Sequence, residues 1–299
     1  MSASPRLVIL DTDPGVDDAL ALLYLRARPD LRLVAITTVF GNADVETTTR
    51  NALWLRARLG LSAPIHRGAA TPLSRPRGPS PVHVHGDNGL GDIDLSGLDL
   101  APPDNGEAHE RIIEIVRANP GAVTLVAIGP LTNLALALRA APDIADLVAG
   151  VTIMGGAFER GNITPYAEAN VHNDPEAAAE VLAAPWPLTL VPLDATRPCV
   201  LSSAQAFAAG DFVREVTRGY AAAYARHEGL NGCVLHDVAA LISLTRPQLF
   251  ASRRAPVAVT THGERAGQTV WALEGTPVGI LIEADGPGLV EHFLRTIAP

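Results

Sequence analysis

The sequence contains no lysine, because all 23 of its basic residues are arginine, and its formal net charge is −9. The absence of lysine excludes every mechanism that requires a lysine amine. An acidic chain also lacks the basic face with which proteins neutralise the phosphates of DNA or RNA. We therefore expect no nucleic-acid partner.

Cysteines and long apolar runs are also scarce. The two cysteines, Cys199 and Cys233, are too few for a disulfide framework. No uninterrupted apolar run reaches the ~18 residues that a membrane-spanning helix needs. The first residues, MSASPR, carry no apolar segment of the kind found in signal peptides. We therefore expect a cytoplasmic protein in a reducing compartment, with no membrane partner.

Apolar residues make up 47% of the chain, which is enough for a large core. They recur as short continuous runs typical of strands at 6–11, 31–38, 123–128, 148–154 and 188–191. Between these runs, helical patterns are predicted at 16–28, 44–59, 107–119, 131–139 and 175–184. Such alternation is typical of an open, mostly parallel α/β sheet flanked by helices. No linker or repeat divides the chain, so we predict a single domain over residues 1–299.

Two long loops interrupt this alternation. Residues 66–95 are rich in Pro, Gly and His, and residues 155–173 are rich in Gly, Asn and other polar residues. Long connections inside a compact domain are usually lids or binding loops. Ligands of open α/β sheets bind beyond the carboxyl ends of the strands. The segments DTDPGVDD (11–18), GPLTN (129–133) and MGG (154–156) all follow predicted strands. We therefore expect these three segments to converge.

The segment DTDPGVDD contains four carboxylates, Asp11, Asp13, Asp17 and Asp18. Acids can cap a turn or favour a helix N-terminus. Four of them behind a buried strand, however, repel one another and lose hydration unless a cation or shared protons neutralise them. Oxygen ligands with no Cys or His nearby favour Ca²⁺ or Mg²⁺ over zinc. A strand that ends in Asp-x-Asp also suggests a Mg²⁺ phosphatase of the haloacid dehalogenase type, but that chemistry uses a lysine.

The segment GNITPYAEAN (161–170) offers two amides and a carboxylate, from Asn162, Glu168 and Asn170. These groups suit sugar hydroxyls, because each hydroxyl both donates and accepts a hydrogen bond. The alternative is that Asn and Gly simply form turns there.

Two further segments contain histidines. GCVLHD (232–237) places His236 beside Asp237. A histidine side chain titrates near neutral pH, so His236 is a candidate general acid. The alternative is that this His-Asp pair simply begins a helix. HVHGDNGLGD (83–92) surrounds histidines with glycines, which is typical of a mobile lid or of a flexible exposed loop. His85 is the better candidate for a ligand contact, and the function of His83 stays open.

Together these segments resemble the inosine-uridine preferring nucleoside hydrolases. The opening DTDPGVDDALAL looks like the signature of that family. FGN (40–42), HG (85–86), GPLTN, MGG, GNITPYAEAN and GCVLHD then follow in the family's order. The resemblance implies the Rossmann-like nucleoside hydrolase fold. It also implies Ca²⁺-dependent hydrolysis of the N-glycosidic bond of ribonucleosides to free base and ribose, in nucleoside salvage.

The resemblance also implies roles for single residues. The Ca²⁺ would be held by Asp13, Asp18, Asp237 and the main-chain carbonyl of Ile128. Asp13 would also take a proton from the attacking water, and His236 would donate one to the departing base. His85 would line the base side of the pocket. Ribose would be bound by the remaining matched positions, which are Asp17, Asn42, Met154, Asn162, Glu168 and Asn170. Members of the family are homodimers or homotetramers, so we expect a homo-oligomer that binds a small-molecule ribonucleoside.

Two alternatives to a ribonucleoside hydrolase stay open at this point. The Mg²⁺ phosphatase is opposed by the missing lysine and by the sugar-binding type of loop. A non-catalytic ribonucleoside-binding protein is opposed by the joint presence of the three metal-binding acids and His236. The preference for purine or pyrimidine bases is also open, as are the roles of three residues in the variable segment 220–227, namely Tyr220, Tyr224 and His227.

Overall fold

The structure, a computed structural model, describes residues 4–298. Its strands are β1 (Arg6–Thr12), β2 (Leu31–Thr38), β3 (Ile65–Arg67), β4 (Val123–Ala127), β5 (Gly150–Met154), β6 (Leu188–Val191), β7 (Val200–Ser202), β8 (Gly232–Val234), β9 (Phe250–Ala255), β10 (Val257–Val259), β11 (Thr269–Trp271) and β12 (Val278–Ala284). Eight of them form one sheet in the order β3-β2-β1-β4-β5-β6-β12-β9. All neighbours in this sheet are parallel except β12 and β9. The predicted open, mostly parallel sheet is confirmed.

Helices cover both faces of the sheet. They are α1 (Val16–Arg26), α2 (Val45–Leu59), α3 (Val82–His85), α4 (Ala108–Ala118), α5 (Thr132–Ala140), α6 (Ile144–Leu147), α7 (Ala169–Asn173), α8 (Pro175–Ala183), α9 (Leu193–Thr196), α10 (Ser203–Ala208), α11 (Asp211–His227), α12 (His236–Ser243) and α13 (Gly286–Ile297). Val8 and Leu10 of β1 belong to one buried apolar cluster, with α1, α2, α12 and α13. Ile9 belongs to a second, with α4, α5 and α8. Because strand side chains alternate, each cluster lies on one face.

The helix and strand boundaries follow local signals in the sequence. The predicted strands 31–38 and 188–191 are confirmed to the residue. Helix α2 begins after Asp44, whose carboxylate accepts a hydrogen bond from Thr47 N at 2.8 Å. It ends at Gly60, where φ is 64° and a side chain would be disfavoured. Pro175 stands at the first position of α8, where its missing N–H costs nothing.

The two predicted loops contain more regular structure than expected. The segment 66–95 includes the end of β3 and the four-residue helix α3. The segment 155–173 includes helix α7 at its end. These elements are too short to show a hydrophobic period, which is why the sequence pattern did not indicate them. Between residues 4 and 298, none of the helices combines the length and the apolarity required to cross a membrane.

Candidate active site

A cavity lies beyond the carboxyl ends of the central strands. Its walls include Asp17 after β1, Asn42 after β2, Ile128 after β4 and Met154 at the end of β5. The segment GPLTN approaches the same place, because a Cβ added to Gly129 would lie 2.6 Å from Asp13 Oδ1. The expected convergence of the three segments is therefore confirmed.

The acidic side chains form a cluster at the bottom of this cavity. One carboxylate oxygen from each of Asp17, Asp18 and Asp237 lies within 4.8 Å of the other two. Asp13 belongs to the same charged group, since after burial, which raises its pKa most, the charges of Asp18 and Asp17 raise its pKa further. All four side chains are buried. The structure thus brings together acids that are 219 residues apart in sequence, from Asp18 to Asp237 (237 − 18).

The turn after β1 holds two of these acids in place. Asp18 accepts hydrogen bonds from Thr12 Oγ1, from Gly15 N at 2.8 Å and from Asn42 Nδ2 at 3.2 Å. Asn42 N donates to Asp13 Oδ2 at 2.7 Å. Gly15 is required for this close packing, because a Cβ there would lie 2.6 Å from a ring nitrogen of His85 and 2.7 Å from Asn42 Nδ2.

Burial and mutual repulsion make these carboxylates costly to ionise. Loss of hydration, followed by the charge of Asp18, raises the pKa of Asp17 to about 8. Burial raises the pKa of Asp11 to about 7. Burial, together with the charges of Asp17 and Asp18, raises the pKa of Asp237 well above its usual range. At neutral pH this cluster therefore needs protons or a cation.

Two oxygens of the cluster and one oxygen of Asp11 also lack hydrogen-bond partners. Within residues 4–298, five buried side-chain nitrogen or oxygen atoms have no partner, and Asp11 Oδ2, Asp13 Oδ1 and Asp17 Oδ1 are three of them. Buried polar atoms are rarely left unpaired in folded proteins. The cluster contains no cysteine or histidine, so its possible metal ligands are all carboxylate oxygens. Closely spaced oxygens without hydrogen-bond partners are the ligands that a hard divalent cation prefers. The residues present therefore fit a bound metal ion.

The loop before α7 supplies the polar groups of the opposite wall. Glu168 accepts hydrogen bonds from the backbone of Gly156 at 2.9 Å, Asn170 at 2.8 Å and Val171 at 3.1 Å. Burial raises the pKa of Glu168, and these donors partly offset that effect. Asn170 Nδ2 donates to the carbonyl of Ile128 at 3.0 Å and to that of Met154 at 3.1 Å. The backbone oxygen of Ile128 therefore faces this wall of the cavity.

His236 lies at another side of the cavity, with a partner on each ring nitrogen. Nδ1 is 2.7 Å from Thr196 Oγ1, and Nε2 is 2.9 Å from Tyr224 Oη. Burial, and after it the charges of Arg197 and His85, lowers the pKa of His236 to about 3. The imidazole is therefore neutral at pH 7 and carries its one proton on one of the two nitrogens.

His85, Tyr220 and Tyr224 line the cavity on the same side as His236, which we call the aromatic side. The ring of His85 lies 5.3 Å from that of Tyr220, which in turn contacts Tyr224 edge to face at 4.9 Å. Burial lowers the pKa of His85 to about 4. His83 and His227 stand at the cavity mouth with ring centroids 5.5 Å apart. Aromatic rings at this side provide stacking surfaces for a planar ligand group.

The comparisons with known proteins agree with this arrangement. The family model described as inosine-uridine preferring nucleoside hydrolase matches residues 8–291. The chain belongs to this family. It is therefore a ribonucleoside hydrolase, an enzyme that cleaves N-glycosidic bonds.

Individual relatives of this nucleoside hydrolase match it over most of their length. It is 39% identical to the non-specific ribonucleoside hydrolase RihC of Salmonella agona, over 93% of this chain and 94% of the relative. It is 36% identical to uridine nucleosidase 1 of Arabidopsis thaliana, over 88% and 81% of the two chains. A solved plant nucleoside hydrolase superposes with a TM-score of 0.95 at 29% identity, covering 98% of this chain and 99% of that one.

Ten of the twelve site residues predicted from the sequence of this nucleoside hydrolase line the cavity, and they are Asp17, Asn42, His85, Ile128, Met154, Asn162, Glu168, Asn170, His236 and Asp237. The other two, Asp13 and Asp18, do not line the cavity, but both accept hydrogen bonds from Asn42, which does. Asp17 is expected to bind ribose, but its carboxylate also belongs to the group of three acids, with Asp18 and Asp237, that could hold a metal ion.

The sequence reasoning missed several residues that support the site. Asn133 Nδ2 donates to Asp11 Oδ1 at 2.7 Å, which ties the GPLTN segment to β1. The GPLTN motif itself was the available signal for Asn133. Thr196, the last residue of α9, contacts His236, and Arg197 follows the helix directly. No motif marks either residue. Tyr220 and Tyr224, whose roles the sequence left open, both line the cavity.

Proposed function

We propose that this nucleoside hydrolase depends on Ca²⁺ held by Asp13, Asp18, Asp237 and the backbone carbonyl of Ile128. The buried acids with unpaired oxygens carry this proposal. Ca²⁺ accepts six to eight oxygen ligands in flexible geometry, whereas Mg²⁺ demands a near-octahedral set, so an irregular group of carboxylates and a carbonyl favours Ca²⁺. When bound, Ca²⁺ would neutralise the acids and polarise water at the cavity floor.

Asp13 is the proposed general base. Its Oδ2 is bonded to Asn42 N at 2.7 Å, while its Oδ1 is buried without a partner. A desolvated carboxylate with a free oxygen is a stronger proton acceptor than a hydrated one, because burial raises the pKa of the Asp13 carboxyl. Asp13 would take a proton from the water that attacks the anomeric carbon.

Ribose would lie between the acid cluster and the loop before α7. Asp17, Asn42, Asn162, Glu168 and Asn170 would bind its hydroxyls through carboxylate and amide groups. Met154 would pack against the sugar ring. Cleavage of an N-glycosidic bond develops positive charge on the ribosyl group, and the fixed carboxylates would stabilise that charge because they need no reorganisation.

His236 is the proposed proton donor to the leaving base. It lies on the aromatic side of the cavity with His85, Tyr220 and Tyr224, where a planar base would stack. Because its imidazole is neutral, the ring would share its one N–H proton with the base through a hydrogen bond as negative charge develops there, and no imidazolate has to form. Protonation matters because the base would otherwise leave as an anion.

We also propose that the protein is a cytoplasmic homo-oligomer, a dimer or a tetramer, in which residues 1–299 form one hydrolase domain. The family match over residues 8–291 supports the single domain. Exposed apolar side chains near the β9 edge support association, since Trp271 is 43% exposed and Leu273 is fully exposed. Light scattering coupled to gel filtration would test the assembly, and a monomeric mass would contradict it.

Metal reconstitution tests the proposed function. Enzyme treated with chelator is reloaded with Ca²⁺ or with Mg²⁺, and release of ribose from uridine and inosine is measured. We expect Ca²⁺ to restore turnover and Mg²⁺ to restore much less. Restoration by Mg²⁺ alone, or hydrolysis of p-nitrophenyl phosphate with no release of ribose, would contradict the proposal and favour the phosphatase alternative.

A further inference from the structure

Helix α9 and the arginine that follows it hold the loop that carries Asn162. The carboxylate of Asp194 accepts hydrogen bonds from Phe158 N at 2.9 Å and from Glu159 N at 3.0 Å. The guanidinium of Arg197 donates to the carbonyls of Arg160 and, at 3.1 Å, of Gly161. Four consecutive residues, 158–161, are therefore bonded to two side chains of opposite charge. Asn162, a proposed ribose contact, follows directly.

The same short helix contacts His236 through Thr196. Thr196 is fully buried, and its Oγ1 lies 2.7 Å from His236 Nδ1. Its other acceptor within reach, the carbonyl of Leu193, is 3.5 Å away, at the limit of a hydrogen bond. Nδ1 is thus the closer of the two acceptors available to the hydroxyl, and which of the two atoms donates is set by the tautomer of the ring. A neutral imidazole that accepts at Nδ1 carries its proton on Nε2, on the side of Tyr224 and the cavity.

We propose that residues 193–197 are a positioning element that aligns both ends of the substrate. Thr196 fixes His236 in the tautomer that can donate a proton from Nε2, and Asp194 and Arg197 fix the sugar-facing loop. The inference rests on the proposed role of His236 as proton donor. It extends that role, because the same short segment would hold two parts of the site. Thr196 would orient His236 toward the leaving base, and Asp194 and Arg197 would hold the loop that carries Asn162 toward the ribose.

The Thr196 contribution is tested with Thr196→Val, which keeps the shape and removes the hydroxyl, and with Thr196→Ser, which keeps the hydroxyl. Uridine needs protonation of its base, whereas p-nitrophenyl riboside does not. We expect Thr196→Val to lower kcat for uridine roughly tenfold or more and to change kcat for p-nitrophenyl riboside by less than about twofold. Thr196→Ser should restore most of the uridine activity. Equal losses on both substrates, or none on either, would overturn this contribution.

The Asp194 and Arg197 contributions are tested with single alanine variants of each. Both substrates share ribose, so we expect KM to rise about tenfold for both, with a smaller change in kcat. Arg197→Lys, which keeps the charge but loses the planar fork, should recover part of the affinity. The matched control is Asp143→Ala, which breaks an exposed ion pair with Arg117 away from the cavity. An unchanged KM in Asp194→Ala and Arg197→Ala would overturn the contribution of these two residues.

His236→Ala distinguishes failure of this inference from failure of the proposed function. If His236→Ala lowers uridine turnover about a hundredfold and spares p-nitrophenyl riboside, His236 is the proton donor. An unselective effect of Thr196→Val would then overturn the positioning inference alone. If His236→Ala lowers turnover of both substrates equally, the proton-donor role fails, and the contribution of Thr196 fails with it. The KM results for Asp194 and Arg197 do not depend on that outcome.

Discussion

At the scale of single residues, the acid cluster explains why the cavity needs a cation. Asp13, Asp17, Asp18 and Asp237 are all buried, and burial raises the pKa of each. The hydrogen bonds from Thr12, Gly15 and Asn42 reach some of their oxygens but leave others unpaired. The same desolvation that destabilises the ionised acids raises the pKa of Asp13, which is consistent with its proposed role as a base.

The role of Asp13 predicts the effect of Asp13→Asn. The amide oxygen can still ligate a cation, but the side chain cannot take a proton from water. We expect kcat to fall by at least about a hundredfold, the usual contribution of a general base, with the protein still folded. Ribose release and circular dichroism measure the two quantities. Asp146→Asn on the exposed surface of α6 is the matched control. Near-normal turnover in Asp13→Asn would remove Asp13 from its proposed role.

Sequence reasoning identified the residues that stand in recognisable motifs. DTDPGVDD indicated a buried acid cluster because four carboxylates crowded after one buried strand repel one another unless a cation or shared protons neutralise them. The contact of Thr196 with His236 joins positions 40 residues apart, and no spacing rule connects them. Asp17 is similar, because its proximity to Asp237 depends on how α1 and α12 pack together, a property of the tertiary structure.

At the scale of elements, the turn from β4 to α5 has to pass very close to the acids. Gly129 is in this turn, and an added Cβ would lie 2.6 Å from Asp13 Oδ1 and 3.0 Å from a methyl group of Val39. A side chain at this position would therefore push Asp13 away from its present place. The glycine serves the site, because it lets the backbone approach a buried carboxylate.

This close approach predicts the effect of Gly129→Ala. Displacement of Asp13, the proposed base, by a fraction of an ångström to one ångström should lower kcat about tenfold to a hundredfold, since catalysis is sensitive to such shifts. The control is Gly78→Ala, because a Cβ at Gly78 would meet no atom within 4 Å. Steady-state kinetics with uridine measures both variants. A Gly129→Ala enzyme with unchanged kcat would mean that Asp13 has more room than the structure indicates.

The elements that could be predicted are those with a clear period and clear ends. Helix α2 has both, with Asp44 before it and Gly60 after it. Helices α3 and α9 have only four residues each, too few for a hydrophobic pattern to indicate them. Each lies inside a longer connection, so its position depends on how that connection packs in the folded protein and not on a local sequence pattern. This matters for the proposed function, because α3 carries His85 and α9 carries Thr196.

At the scale of the whole molecule, the parallel sheet collects the site from distant parts of the chain. The carboxyl ends of β1, β4 and β5 lie side by side, so the segments that follow them meet at one cavity. Helix α12 adds His236 and Asp237 from more than 200 residues beyond Asp18. A cation bound there would therefore join segments from both halves of the chain and stabilise the folded state.

Removal of the cation should consequently lower the melting temperature. Ligand at about a hundred times its dissociation constant stabilises a fold by roughly 2.7 kcal/mol. For a domain of this size that corresponds to a change of about 4 °C. Thermal unfolding with excess Ca²⁺ and with chelator measures the difference. Asp18→Asn, which weakens the site, should show a smaller difference. A melting temperature that does not respond to chelator would contradict the proposed metal site.

The most direct test of the central claim is release of free ribose from inosine, adenosine, guanosine, uridine and cytidine, with and without chelator. We predict release from at least one of these nucleosides, loss of release with chelator, and recovery on addition of Ca²⁺. The same panel ranks purine against pyrimidine bases. Release that is unaffected by chelator would contradict the dependence on Ca²⁺. No release from any of the five, by folded protein with Ca²⁺ bound, would contradict ribonucleoside hydrolysis at this cavity.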